Sequence, residues 1–306
     1  MKGRILKALR SDKGIVSGEV LSRTLGVSRV SVWKHIRNLQ ACGYPIVSTA
    51  KGYCLSGSFD ALFPWEFPER ESRIHYFPET ASTMDIAKEM ARRGCPHFTV
   101  VIAGRQEQGR GRLKRVWLSA EGGLYFTMVL RPPVPTAQAT RINFLAALVL
   151  AQTLRRLYRI DAKVKWPNDI LVGGKKISGM LSEMEAESDM ATFINIGIGV
   201  NVNNDPADRE PGATSLKKIH AKEFSRKALL ADFLDAFESR LESLSLDAVI
   251  PEWKRYSLTL GQPVKIVTIR ETVEGVAVDV DENGALILRL PDGTLKKIVS
   301  GDCFQL

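Results

Sequence analysis

The amino-acid sequence predicts an α+β chain in three parts. A helical segment with a small β-wing comes first, a mixed α/β domain follows, and an all-β stretch completes it. Three observations carry this. Two amphipathic helical patterns flank Gly26, and two short strand patterns follow them. From about residue 74 to 245, helical and strand periods alternate. Beyond residue 258 only alternating strand patterns and turn signals remain. The bounds read as 1–60, a linker at 61–73, then 74–257 and 258–306.

With 306 residues, 44% hydrophobic and 25% charged, the chain is long enough to bury a sizeable core, which argues against a disordered or fibrous protein. The longest mostly apolar run, Phe144 to Leu154, is too short to span a bilayer. Met1-Lys2-Gly3-Arg4 runs into an amphipathic pattern with no signal-peptide core. The expectation is a cytoplasmic protein with no membrane partner. Cys42, Cys54, Cys95 and Cys303 are scattered without a CxxC pair, and no HExxH occurs. Neither a disulfide framework, a zinc ribbon nor a catalytic transition-metal site is indicated. Net charge is 43 − 34 = +9, which suits a polyanionic partner as well as plain solubility. Where the charge sits decides between them.

In the first part, Ile5, Leu6 and Leu9 fall at helical spacing, and Gly14 breaks the pattern. A short helix then ends near Leu25, Gly26 supplies the tight turn, and Ser28 is placed to N-cap a second helix. There Val32, Ile36 and Leu39 form one buried stripe, while Val30, Trp33, Lys34 and Arg37 face outward. This is helix-turn-helix geometry. Pro45–Ser48 and Tyr53–Leu55 read as strands around Ala50-Lys51-Gly52, a wing with a basic tip. A helical hairpin with a solvated basic face would share the first pattern. Pattern, wing and basic face together make a winged helix-turn-helix that binds DNA. Arg29, Trp33, Lys34, Arg37 and Lys51 are its candidate contacts, since an exposed Trp is costly without a partner. Ser56 to Arg73, with Pro64 and Pro68 each after a Phe, reads as a linker that packs locally.

In the middle, Thr83–Arg93 reads as a helix capped by Ser82 or Thr83, and Phe98–Ala103 as a buried strand. Gly123–Leu130 reads as a strand and Ile142–Tyr158 as a long buried helix. Ala162–Trp166, Ile170–Val172 and Ile177–Met184 read as strands. In Thr192–Val200, Ile194, Ile196, Ile198 and Val200 alternate with Phe193, Asn195, Gly197 and Gly199. That gives one apolar face and one face open to close approach. Phe224–Leu244 is an amphipathic helix.

Three stretches carry chemistry. Gly104 to Trp117 packs five basic residues and three glycines into fourteen positions just after a strand. Glycine lets backbone N–H groups approach an anion, and Arg donates bidentately to phosphate or carboxylate. The stretch departs from both the dinucleotide fingerprint and the P-loop, and a flexible solvated loop is the plain alternative. Trp117 offers a flat face to a ring. Lys165-Trp166-Pro167-Asn168-Asp169 leads to Lys176 across a short hairpin, so that Asp169 could hold Mg²⁺ opposite Lys176; a simple turn fits the same residues. Gly197 to Asn203 carries two glycines and two asparagines. Arg, Lys, Gly and one carboxylate, with no evident general base, suit nucleotide phosphate chemistry by positioning and charge neutralisation.

Gly109-Arg110-Gly111-Arg112, Lys165 to Asp169, Lys176 and Gly199-Val200-Asn201 make the chain similar to the biotin protein ligases. The helix-turn-helix in front resembles their bifunctional form, the biotin operon repressor. Gly261-Gln262-Pro263-Val264 to Gly301, with turns at Asp281–Gly284 and Pro291–Gly293, fits the small SH3-like β-barrel that follows in the family. The resemblance covers essentially the whole chain and implies a central mixed α/β domain of the biotin/lipoate ligase type. It implies an ATP-dependent enzyme that forms biotinyl-5′-AMP and transfers biotin to a lysine of a biotin carboxyl carrier protein. It also implies a homodimer that binds operator DNA and represses biotin synthesis genes when adenylate is bound.

By motif, the resemblance places Ser82, Thr83 and Gln106 on the biotin ureido ring, with Gly109, Arg110, Arg112 and Lys176 also on biotin. Arg112, Arg115, Asn168, Lys176 and Asn201 would serve ATP, and Trp117 would stack on adenine. Arg110, Arg112, Asp169 and Lys176 would be catalytic, with Asp169 holding Mg²⁺. Two positions depart from the family: Met84 stands where Asn is usual, and Lys114 where a third loop glycine is usual. Three other readings stay open. One is a lipoate or octanoate ligase, one a ligand sensor with an inactive catalytic domain, and one a ligase whose N-terminal domain represses nothing.

Overall fold

The computed structural model describes residues 1–11, 14–132, 134–206, 210–243 and 245–306. The Lys114 side chain and Leu244, the expected end of the last central helix, lie outside the described residues. The chain divides into two compact units, Met1–Ile74 and His75–Leu306.

In the first unit, α1 (Lys2–Ser11) buries Ile5, Leu6 and Leu9. Helix α2 (Gly18–Leu25) is capped by Ser17, whose Oγ accepts from the Val20 N–H at 3.1 Å. It ends at Gly26, whose φ of +68° is the left-handed turn that glycine adopts at no cost. Helix α3 (Arg29–Ala41) is capped by Ser28 and buries Val32, Ile36 and Leu39 completely. Strands β1 (Ile46–Thr49) and β2 (Gly52–Leu55) pair antiparallel around Ala50-Lys51. The winged helix-turn-helix of the sequence reading is therefore present.

Residues 61–73, expected as a linker, pack onto this unit. Two short 3₁₀ turns, Pro64–Glu66 and Pro68–Arg70, bring Leu62 and Phe67 inside. The Glu66 side chain is 1% exposed. It accepts from Arg10 Nη2 at 2.7 Å and Nη1 at 3.0 Å, and from the Tyr44 hydroxyl at 2.7 Å. Trp65 Nε1 donates to that hydroxyl at 2.9 Å. The segment's aromatic residues give it surface to bury, and the Glu66 pairing supplies its direction. Glu66→Gln keeps the volume but removes the charge that Arg10 faces. We expect a loss of about 2 kcal/mol, lowering the unfolding midpoint of this unit by roughly 10 °C in a thermal scan. A shift within about 2 °C would show that the pair adds nothing.

The second unit is built on a seven-stranded sheet of order β3-β4-β5-β9-β8-β7-β6. Its strands are β3 (Ile74–Thr80), β4 (Thr99–Gln106), β5 (Leu124–Leu130), β6 (Lys163–Lys165), β7 (Asp169–Val172), β8 (Lys175–Glu187) and β9 (Met190–Val200). Pairings from β4 across to β6 are all antiparallel. Helix α4 (Thr83–Arg92) packs on one face against β4, β5 and β9. Helices α5 (Thr136–Tyr158), α6 (Leu216–His220), α7 (Arg226–Ser243) and α8 (Val249–Arg255) complete the helical set. Phe233 of α7 meets Phe126, the cross-strand partner of Ile198, at 5.7 Å, so α7 lies on the isoleucine face.

Three elements extend well beyond the sequence reading. Strand β4 runs on to Gln106, because Gln106 still bridges Ser119, so Gly104, Arg105 and Gln106 belong to a strand. Helix α5 starts at Thr136 rather than 142, with no side-chain cap. Its first N–H donates to the Asp189 carbonyl at 2.8 Å, a tertiary partner with no local signature. The β8–β9 hairpin is longer at its turn end than the apolar alternation.

The chain's last strands are β10 (Pro263–Val267), β11 (Thr272–Val280), β12 (Leu286–Arg289), β13 (Leu295–Ile298) and β14 (Asp302–Gln305). They form an antiparallel SH3-like sheet of order β13-β12-β11-β10-β14. Trp166 ties this sheet to the larger one. Its backbone N–H donates to Thr259 Oγ1 at 3.0 Å and its Nε1 to the Gly284 carbonyl at 2.9 Å. Among the described residues, no helix is long and apolar enough to cross a membrane.

Candidate active site and nucleic-acid interface

One cavity of about 570 Å³ opens on the α4 face of the large sheet. Its inner end is a chain of polar contacts. Ser82 caps α4, its Oγ accepting from the Met84 N–H at 3.3 Å. Gln106 Oε1 accepts from the Thr83 N–H at 2.8 Å and from Thr83 Oγ1 at 3.1 Å, while Gln106 Nε2 donates to Ser119 Oγ at 2.8 Å. Thr127 donates to Thr83 Oγ1 at 2.8 Å. Ser119 and Thr127 were not singled out in the sequence. Thr127 stands on β5 directly opposite Gly197, a register between distant strands that the sequence does not show.

The two strand glycines admit side chains of the chain itself. A Cβ on Gly197 would stand 2.6 Å from Met84 Sδ, and one on Gly199 would stand 2.4 Å from the Trp117 indole. Trp117 therefore lies flat on the sheet, with Nε1 buried and without a hydrogen-bond partner among the described residues. Met84 seats a buried, flexible apolar side chain on Gly197 beside this polar chain.

At the other end, β7 and β8 bring Lys176 Nζ to 2.8 Å from Asp169 Oδ1. The ammonium also stands 5.1 Å from the Trp117 ring centroid. Asn168 is partly spent: its Nδ2 donates to the Met180 carbonyl across the hairpin.

Residues 109–117 fold as a flap over the cavity. Trp117 N donates to the Gly109 carbonyl and Gly111 N to the Arg115 carbonyl, both at 2.8 Å. Leu113 turns the tip at a φ of +52°. Arg112 Nη1 reaches the Gly301 carbonyl at 3.2 Å, and Arg115 pairs with Asp302. Burial lowers the Arg112 pKa from its ordinary value, against the opposing pull of Asp302 and Asp169. Cys303 also lines the cavity, and burial pushes its thiol up to about 11. The wall from β14 was invisible in the sequence.

Of the expected site residues, Ser82, Thr83, Gln106, Arg110, Arg112, Arg115, Trp117, Asn168, Asp169 and Lys176 line this one cavity. Gly109 and Asn201 are not on its wall. A Cβ on Gly109 would meet the Trp117 carbonyl at 2.3 Å, so that glycine serves the flap's own packing. Asn201 is buried and its Oδ1 accepts from Asn204 Nδ2 at 2.9 Å. In the first unit, Arg29, Trp33 and Lys51 line a groove between α2, α3 and the wing, with Trp33 52% exposed. Lys34 and Arg37 are exposed on α3 outside that groove.

The profile described as Biotin/lipoate A/B protein ligase family matches residues 76–203, Biotin protein ligase C terminal domain matches 259–305, and HTH domain matches 3–54. The Bacillus subtilis protein named bifunctional ligase/repressor BirA is 35% identical over 307 residues, covering 94% of this chain and 93% of the relative. Its Escherichia coli namesake is 28% identical over 317 residues, covering 97% and 95%. The solved biotin protein ligase of Aquifex aeolicus in complex with biotin and ATP superposes with a TM-score of 0.64 at 28% identity, covering 76% of this chain and 98% of that one. The chain belongs to the biotin protein ligase family, among the members that carry a helix-turn-helix domain in front.

Proposed function

We propose that this chain is an ATP-dependent biotin protein ligase that also acts as a biotin-responsive repressor. The observation that carries the ligase reading is that Lys176, paired with Asp169, and the flap's Arg112 and Arg115 line the same cavity as the Ser82–Thr83–Gln106 network. The biotin carboxylate attacks the α-phosphorus of ATP, the bond to pyrophosphate breaks, and biotinyl-5′-AMP forms. A carboxylate is already a nucleophile, so no general base is needed. What is needed is positive charge where negative charge gathers. Arg112 and Lys176 face the carboxylate and phosphate, Arg115 and Asn168 serve the nucleotide, and Trp117 gives adenine a flat face. Ser82, Thr83 and Gln106 read the ureido ring. The carrier lysine then attacks the acyl carbon and AMP leaves. The carrier is a biotin carboxyl carrier protein.

Asp169 fits the usual mode of Mg²⁺, which is held by one or two carboxylates together with substrate phosphates. Among the described residues, no group of three His, Cys, Asp or Glu side chains makes a cage of its own. Mg²⁺ bound there supplies charge neutralisation at the phosphates. Asp169 would exchange its Lys176 contact for the ion.

The repressor reading rests on the winged helix-turn-helix with its exposed basic face. It includes an adenylate-promoted homodimer through the central sheet, whose end strands are β3 and β6. Sedimentation with and without biotin plus ATP checks the dimer, and one unchanged species would remove it.

Pyrophosphate exchange into ATP, with biotin, lipoate or octanoate as the acid, tests the ligase. Exchange with biotin alone is expected. Exchange with lipoate instead would overturn the substrate, and none with any acid would leave a sensor. Arg112→Ala is expected to release the adenylate on the order of a hundredfold faster, seen as free AMP without carrier. If the adenylate leaks no faster, the flap has another role.

A further inference from the structure

The three arginines of the flap reach three different places. Arg112 goes to the Gly301 carbonyl and Arg115 to Asp302, both on the C-terminal sheet side of the cavity. Arg110 goes the opposite way. Its Nη1 donates to Asp85 Oδ1 at 2.7 Å and its Nη2 to Glu183 Oε1. Asp85 lies in the first turn of α4, two residues past Thr83 of the ring network. Glu183 lies on β8, opposite Asn195 of β9. Only the folded sheet brings these carboxylates together.

One guanidinium between two carboxylates has its charge answered twice over, so Arg110 has little left to offer a phosphate. Its backbone position is more telling. Arg110 forms the β-bridge with Val116 that closes the base of the flap. Residues 111–115, with Arg112 and Arg115, are everything above that bridge. Fixing the guanidinium fixes the base, and the base aims the tip.

We propose that Asp85 and Glu183 are positioning residues that hold the flap shut through Arg110, and so set how long the adenylate stays bound. They act without touching it. This rests on the ligase reading for the identity of the ligand, but not for the clamp. The pairs are partly exposed, the three side chains being 38%, 59% and 28% accessible, so each contributes modestly and both are removed together.

The test compares the full chain with its Asp85→Asn, Glu183→Gln double variant. Trypsin cleavage after Arg110, Arg112 or Arg115 in the ligand-free chain is expected to quicken about five- to tenfold. Release of preformed biotinyl-adenylate into a chase is expected to quicken about tenfold. Pyrophosphate exchange at saturating substrates is expected to fall by no more than about threefold, less than release rises, since Arg112 is less firmly aimed while Lys176 and Asp169 are untouched. Asp85→Glu, which keeps the charge, is expected to hold both readouts near the parent. Unchanged trypsin cleavage in the double variant overturns the clamp, as does a loss of exchange equal to the gain in release. A parent chain that forms no adenylate overturns the ligase reading instead, while trypsin still decides the clamp.

Discussion

Lys176→Ala is expected to lower biotin-dependent pyrophosphate exchange by a factor of roughly 10² to 10³, the usual cost of removing one charged or hydrogen-bonding stabiliser from a preorganised site. The folded state should hardly notice. The ammonium is 33% exposed and its carboxylate partner 22%, so the pair adds at most about 1 kcal/mol. A large kinetic loss with a nearly unchanged unfolding midpoint separates a transition-state role from a structural one. A complication follows from the geometry. Until Mg²⁺ takes its place, removing Lys176 leaves Asp169 without the counter-charge that stands at 2.8 Å. Part of the loss could come from that carboxylate repelling ATP. The double variant Lys176→Ala, Asp169→Asn resolves it. If repulsion dominates, the second substitution recovers activity. If Lys176 neutralises the reacting phosphate and Asp169 serves the metal, the double variant is no better than the single. Exchange within about threefold of the parent in Lys176→Ala would reduce Lys176 to a partner of Asp169.

What the sequence made legible was whatever is written within one turn or one hairpin. Gly26 and Ser28 mark the helix-turn-helix because caps and left-handed turns act over three or four residues. Asp169 and Lys176 could be placed together because a short antiparallel hairpin leaves few registers. Gly197 and Gly199 announced close approach, and Met84 and Trp117 are what approaches. The rest depended on distant partners. Arg115 meets Asp302, and Arg110 meets Asp85 and Glu183, at separations over which one sequence holds no register information. Glu66 looked like linker because its value lies in Arg10 and Tyr44. Asn201 likewise has a partner the sequence did not show, its Oδ1 accepting from Asn204.

A chain beginning at His75 is expected to keep biotin ligation and lose operator binding entirely. The cut belongs there rather than after residue 60. A chain starting at residue 61 would keep Leu62, Phe67 and Glu66 while discarding Arg10 and Tyr44, exposing apolar surface and stranding a carboxylate evolved for burial. Any activity lost in that shorter cut would be uninterpretable. With the clean cut, the experiment distinguishes the remaining readings. Operator binding by the full chain that tightens with biotin and ATP, and vanishes without residues 1–74, establishes the repressor. The same full chain should lose affinity steeply with salt. Lys34→Ala with Arg37→Ala should lower the slope of log K against log salt by about 0.9 for each side chain that had reached a phosphate. That measurement separates phosphate contacts from base readout, which one basic face does not distinguish. If the full chain shows no salt-sensitive affinity for promoter DNA of biotin genes, the exposed Trp33 and its basic neighbours have another partner. If instead the chain from His75 loses ligation as well, the N-terminal unit supports catalysis, and the division of labour between the two units fails.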